Sequence, residues 1–102
     1  MRIDARYDAG ITRLRALLDH PMESGLRTDR RGGVITANFI RSIEILHDDE
    51  VLLEGDWGGG VSHNPYLAVE FDSLSVGDKL TLKWTDNDGR ERAYSVTVKS
   101  QP

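Results

Sequence analysis

The stretch DHPMESGLRTDRRGG, from Asp19 to Gly33, gathers a histidine, a methionine, acids and arginines in one short run. It is the first place to look for binding or bond cleavage. Three histidines, His20, His47 and His63, have acids nearby, as a metal site would need. None of them lies at His-x-x-His or His-x-x-x-His spacing, so only the fold could bring them together. Ser62, His63 and Asp56 are the residue types of a hydrolytic triad, but adjacent Ser and His on a Gly-rich loop supply neither a strand-to-helix elbow nor an oxyanion hole. DNDG, Asp86 to Gly89, opens like a calcium loop; it lacks the ligand pair required before the Gly, and Thr97 stands at the twelfth position where a Glu belongs. The glycines of DWGGGVSHNPY have no Lys-Ser/Thr ending with which to cradle a phosphate. Flanked by Trp57 and Tyr66, they describe a shaped loop with aromatic surface, suited to packing or contact.

Composition narrows the classes further. A chain of 102 residues has room for one core, so residues 1–102 are read as a single domain with any site on loops or edges. At 38% hydrophobic and 29% charged residues it has enough apolar content to fold. The net charge of −4 leaves neither half with the basic field that holds phosphate backbones, so nucleic acid is not an expected partner. Arg27, Arg30 and Arg31 enclose Asp29 without interleaved aromatics, the pattern of a solvated loop. No run approaches the ~20 apolar residues that span a bilayer, so no membrane association is expected. The opening MRIDARYDAG has no apolar stretch of the secretory kind. With no cysteine, the chain has no thiol nucleophile, disulfide or zinc-thiolate site of its own.

The elements that must position these residues read mainly as strands. LAVEF sets Leu67, Val69 and Phe71 against Ala68 and Glu70, and KLTLKWT sets Leu80, Leu82 and Trp84 against Lys79, Thr81, Lys83 and Thr85. SVGD, Ser75 to Asp78, is a turn, and Asp88-Gly89 closes the next hairpin. Tyr94, Val96 and Val98 supply the inner face of a last strand, and the three strands in succession are expected to form a meander. FIRSIEILH and VLLEGDW pair around Asp48–Glu50, with Phe39 and Trp84 as large core pieces. ITRLRALL is ambiguous: its periodicity slightly favours a helix, while Gly10 and Pro21 leave about ten residues, near the lower limit for one. With a short opening strand around Ile3 to Tyr7, about seven strands make an antiparallel sandwich.

HPMESGLR (His20 to Arg27), WGGGVSHNPYLAVEF (Trp57 to Phe71) and LKWTDNDG (Leu82 to Gly89), in this order and spacing, resemble the Z subunits of the sulfur-oxidation carrier complex, the SoxZ family. The similarity runs along nearly the whole chain. It implies an immunoglobulin-like antiparallel β-sandwich of about seven strands, which turns ITRLRALL into a strand, and a subunit with neither catalytic activity nor cofactor. It also implies a heterodimer with a Y subunit whose C-terminal Gly-Gly-Cys-Gly-Gly arm carries sulfur intermediates covalently during thiosulfate and sulfur oxidation. Transient contacts with other sulfur-oxidation enzymes follow, as does a periplasmic location reached by export with the Y subunit. Some relatives carry a cysteine that this chain lacks, so no covalent link between the subunits is expected here. Whether the isolated chain forms a homo-oligomer is left open.

Within that frame, Pro21 ends the preceding strand's hydrogen bonding and Gly25 permits a sharp turn. His20, Met22, Glu23 and Arg27, with Trp57 and Tyr66, are the expected partner-contact residues; Met adapts at such surfaces and Arg is enriched there. Two other classes stay in view. One is a stand-alone immunoglobulin-like periplasmic interaction module using an exposed strand edge. The other is a small hydrolase or metalloenzyme built on the histidines.

Overall fold

The structure, a computed structural model, describes residues Met1–Pro102. Eight strands follow one another: β1 (Arg2–Asp8), β2 (Ile11–Leu17), β3 (Ile40–His47), β4 (Glu50–Asp56), β5 (Tyr66–Phe71), β6 (Lys79–Asp86), β7 (Glu91–Thr97) and β8 (Lys99–Ser100). They form two four-stranded sheets, β5-β2-β1-β8 and β4-β3-β6-β7. There is no helix, hence none long and apolar enough to cross a membrane. ITRLRAL is strand β2, with Thr12, Leu14 and Ala16 buried and the residues between them exposed. A residue that points inward at every second position serves one face of a sheet, and a helix would have scattered the same residues around its axis.

The alternation also sets the core. Ala5 of β1, Leu14 and Ala16 of β2, Ile40, Ile43 and Ile45 of β3, and Leu80, Leu82 and Trp84 of β6 are buried between the sheets, joined by Leu18, Met22, Leu74 and Val98. Trp84 is a core piece as expected; Phe39 is only half-buried and packs against the core from one end. The Thr12 hydroxyl is buried without a hydrogen-bond partner. An unpaired hydroxyl in such a place costs on the order of 1–3 kcal/mol.

The turns follow local chemistry. Between β1 and β2, Ala9 (φ 50°) and Gly10 (φ 88°) are both left-handed, as a two-residue turn matched to strand twist requires. At DNDG, the buried Asp86 carboxylate accepts the Asp88 and Arg90 N–H groups at 2.9 and 2.8 Å, and Gly89 takes φ 84°. This aspartate organises its own hairpin.

One expectation fails. The alternation of the second half predicts a meander of β5, β6 and β7, but β5 pairs antiparallel with β2 in the opposite sheet, and only β6 and β7 are hairpin partners. The SVGD turn therefore forms a corner between sheets, closed by the Ser75 N–H to Asp78 Oδ2 bond at 2.9 Å and by Gly77 at φ 96°. Alternation shows that a strand has an inner face; it carries no information on which strand lies beside it. An eighth strand also goes beyond the seven expected: the chain crosses at Val98 from β7 and runs two residues parallel to β1. Two residues are too few to show a period.

Candidate functional site

Past the last β2–β5 pair, the ladder is continued by loop contacts. The Leu18 N–H donates to the Pro65 carbonyl at 2.9 Å. His20 and Asn64 then clamp each other, His20 N–H to Asn64 Oδ1 at 3.0 Å and Asn64 N–H to the His20 carbonyl at 2.8 Å. These bonds tie HPMESG to GGGVSHNP, two segments remote in sequence. Gly59 completes the junction: a Cβ there would stand 2.8 Å from the Ser24 Cα. The middle glycine of the triplet lets one loop's backbone lie directly on the other's.

Beyond the junction, residues 23–38 form an irregular hairpin arm. Glu23 and Asn38 exchange N–H···O bonds at 2.7 and 2.9 Å, and a second bridge joins Thr28 to Val34. Asp29 Oδ1 accepts the Arg31 and Gly33 N–H groups, both at 2.9 Å, and so shapes the exposed DRRGG tip. The arm's base is held by Asn87, whose Oδ1 accepts the Phe39 N–H at 2.8 Å while its own N–H donates to the Phe39 carbonyl at 2.9 Å. Asn64, Asn87, Gly59 and Ser24 are positioning residues that sequence reasoning missed. Local signals marked three of the four as turn or loop residues, Asn64 by preceding Pro65, where it adopts φ 47°, Asn87 by its place in DNDG and Gly59 by the glycine run, but none of those signals names the partner each one holds.

The expected contact residues divide into three groups. Exposed Arg27 covers half-buried Glu23, with Arg27 Nε donating to Glu23 Oε2 at 3.0 Å in a two-point pair. The Arg27 hydrogen bonds hold the Glu23 carboxyl below the usual carboxylate range. With Pro21, Met22, Ser24, Gly59, Ser62 and His63 they line a shallow hollow between the two loops. His20 and Met22, expected at the surface, are turned inward and buried. The His20 ring meets Trp84 edge-on, with centroids 5.1 Å apart and planes at 87°, and its Nδ1 accepts the Met22 N–H at 3.1 Å. Met22 takes φ 49° and its Sδ accepts the Ile40 N–H at 3.4 Å. A left-handed non-glycine residue persists only where its surroundings hold it, and here the core and the histidine do so. Trp57 is half-buried, packs on the core and donates its N–H to the Arg41 carbonyl at 2.8 Å. Tyr66 lies apart at the start of β5, exposed and opposite Leu17.

The histidines do not converge. His20 is in the core, His47 ends β3 with its Nε2 3.7 Å from both Asp48 and Asp78, and His63 is on the exposed loop. No group of three or more His, Asp or Glu side chains is arranged to hold a metal ion. Asp56 ends β4, while Ser62 and His63 are exposed on the loop that follows.

His20 makes the loop sensitive to acid. Burial pushes its pKa below the ordinary histidine value, against weaker opposing pulls from Asp86 and Asp19. Between neutral pH and the folded-state value, the unfolded chain takes up a proton that the native one refuses, so stability falls as pH drops below about 6.5. Protonation of Nδ1 would also displace the Met22 N–H. Urea midpoints between pH 7.5 and 5.5 are expected to fall in the wild type. In His20→Asn, whose Oδ1 accepts the same bond without titrating, the fall is expected to be smaller. Equal slopes for the two proteins would remove His20 from the account.

The fold and these loops define an all-β, immunoglobulin-like sandwich that presents a fixed loop surface at one end. The family model described as Sulphur oxidation protein SoxZ matches residues 1–97, and the chain belongs to that family. No curated protein matches it.

Proposed function

We propose that this chain is the non-catalytic subunit of a sulfur carrier. In this reading it supports a Y-type subunit whose C-terminal Gly-Gly-Cys-Gly-Gly arm bears the sulfur, works in the periplasm after export with that subunit, and meets other sulfur-oxidation enzymes transiently. The whole of residues 1–102 acts as one domain in this role. The observation that carries the reading is the conjunction of family membership with a chain that has no cysteine. A persulfide or thiosulfonate carrier needs a thiolate to form its S–S bond, so within a sulfur carrier a subunit without cysteine depends on another chain's thiol. The loop surface around Glu23 and Arg27 is the proposed contact, with Trp57 and the more distant Tyr66 as further contact residues, and buried His20 and Met22 hold it in shape from beneath.

Co-expression with a candidate Y subunit, followed by native and denaturing mass spectrometry of the purified complex, tests this. The expected result is one copy of each chain, with sulfur adducts only on the partner. Glu23→Ala/Arg27→Ala removes the ion pair as a unit, leaving no orphaned charge, and is expected to weaken the complex about tenfold. A sulfur adduct on this chain, or failure to assemble with a Y subunit from the same host, would overturn the reading.

A further inference from the structure

The open edge of β5 is the least protected in the molecule. β4 carries Glu50, Glu54 and Asp56 and is bulged opposite Ile45/Leu46. β7 passes beside β1, and β8 is only two residues long. Acids and bulges of this kind keep strand edges from pairing with other chains. β5, Tyr-Leu-Ala-Val-Glu-Phe, has no proline, lysine or bulge, and its single charge, Glu70, is paired with Arg13 at 2.9 Å. On the outer face beside it, Tyr66 is 62% exposed and its cross-strand neighbour Leu17 41%.

The hydrogen bonds show which groups this edge offers. Leu18 N–H to the Pro65 carbonyl is a ladder bond in register with the β2–β5 pairing. Bonding alternates along an antiparallel ladder, so Leu67, Val69 and Phe71 point their amides and carbonyls at β2, while Tyr66, Ala68 and Glu70 point theirs outward. No hydrogen bond outside the ladder reaches those outward groups.

We propose that the β5 edge is a self-association surface, on which a second copy of this chain pairs antiparallel about a two-fold axis at Ala68. In that register Ala68 faces Ala68 of the second copy, and Tyr66 faces Glu70 in both directions. Every outward amide and carbonyl of the three residues is then paired. On the inner face half-buried Leu67 meets Val69, apolar against apolar. No like charges oppose each other, because each glutamate meets a tyrosine and keeps its arginine. The two β5-β2-β1-β8 sheets become one continuous sheet. This complementarity of the edge with itself, in hydrogen bonding, polarity and charge together, selects a second copy as the occupant. The proposal concerns the isolated chain and does not depend on the carrier reading.

A contact of this extent belongs to the weak class of interfaces, so the test spans protein concentrations up to about 1 mM. Sedimentation equilibrium of the wild-type chain alone is expected to move from the 11.4 kDa monomer toward twice that mass as concentration rises. Ala68→Glu and Ala68→Lys each put like charges across the axis, and each is expected to weaken association at least tenfold while circular dichroism shows an unchanged fold. Mixed in equal amounts, the two variants are expected to associate again, because the charges at the axis are then opposite. A wild type that stays monomeric throughout the range overturns the proposal, including the case in which the edge pairs only with a different protein. So does a dimer that tolerates either variant, or a failure of the mixture to recover.

Discussion

Trp84→Ala is expected to lower the unfolding free energy by about 3–5 kcal/mol, the usual cost of removing a buried aromatic side chain. Stabilities of natural domains are about 5–15 kcal/mol, so the variant would be near the limit of folding at ordinary temperatures. Trp84 lies on the inner face of β6, between Ile43 of β3 and Arg92 of β7 in register, and is 8% exposed. Its loss would be felt at the loops as well, because its ring is the surface against which His20 is held edge-on. Amide hydrogen exchange at Glu23, Asn38 and Asn64 is therefore expected to accelerate beyond what the global loss explains. Trp84→Phe keeps an aromatic wall there and is expected to retain most of the stability and most of the local protection. If Trp84→Ala cost less than about 1 kcal/mol by urea denaturation, the packing described here would be wrong.

The second large effect lies in the glycine triplet. Gly59→Ala places a Cβ 2.8 Å from the Ser24 Cα and 3.0 Å from its Cβ. Two main chains lie at that contact, so relief requires moving a whole loop. Overpacking of this sort costs about 1–3 kcal/mol, partly offset by the roughly 0.4–1 kcal/mol that Gly→Ala removes from the entropy of the unfolded chain. A net loss of about 1 kcal/mol would lower Tm by roughly 4–8 °C. The neighbours supply the control: a Cβ at Gly58 or Gly60 meets nothing within 4 Å, and neither glycine has a positive φ. Gly58→Ala and Gly60→Ala are expected to be neutral or slightly stabilising. Thermal denaturation of the three single variants checks the pattern, and equal effects at all three would show that the loops do not meet as described. Because the same contact sets the hollow beside Glu23 and Arg27, Gly59→Ala is also expected to reduce affinity for the proposed Y-type partner more than either neighbour does.

Most of the strand framework beneath the site was legible locally. The alternation in β5, β6 and β7 identifies which side chains face inward, because a pleated strand repeats every two residues whatever surrounds it. The hairpin at DNDG and the turn at SVGD were equally readable, since Gly89 and Gly77 supply the positive φ those turns need. In ITRLRALL the local signals conflicted, and likeness to a family decided for a strand where periodicity leaned to a helix. The loops were harder. HPMESG has no period to tell inward from outward, and residue type alone puts His20, Met22 and Glu23 together on a contact surface. His20 and Met22 point inward because Trp84 and the Ile40 amide are there to receive them.

The residues alone therefore settled most of the strands with their inner faces, the turns at DNDG and SVGD, and the absence of a thiol on which sulfur could ride, but not β2 or the two-residue β8. Tertiary structure alone decided that β5 lies beside β2, that Gly59 meets Ser24, and that a histidine and a methionine brace the loop from within. The division has one physical cause. Backbone conformation and turn chemistry depend on residues a few positions apart, whereas sheet partners and loop contacts are chosen among remote segments by packing and hydrogen bonding in the assembled sandwich.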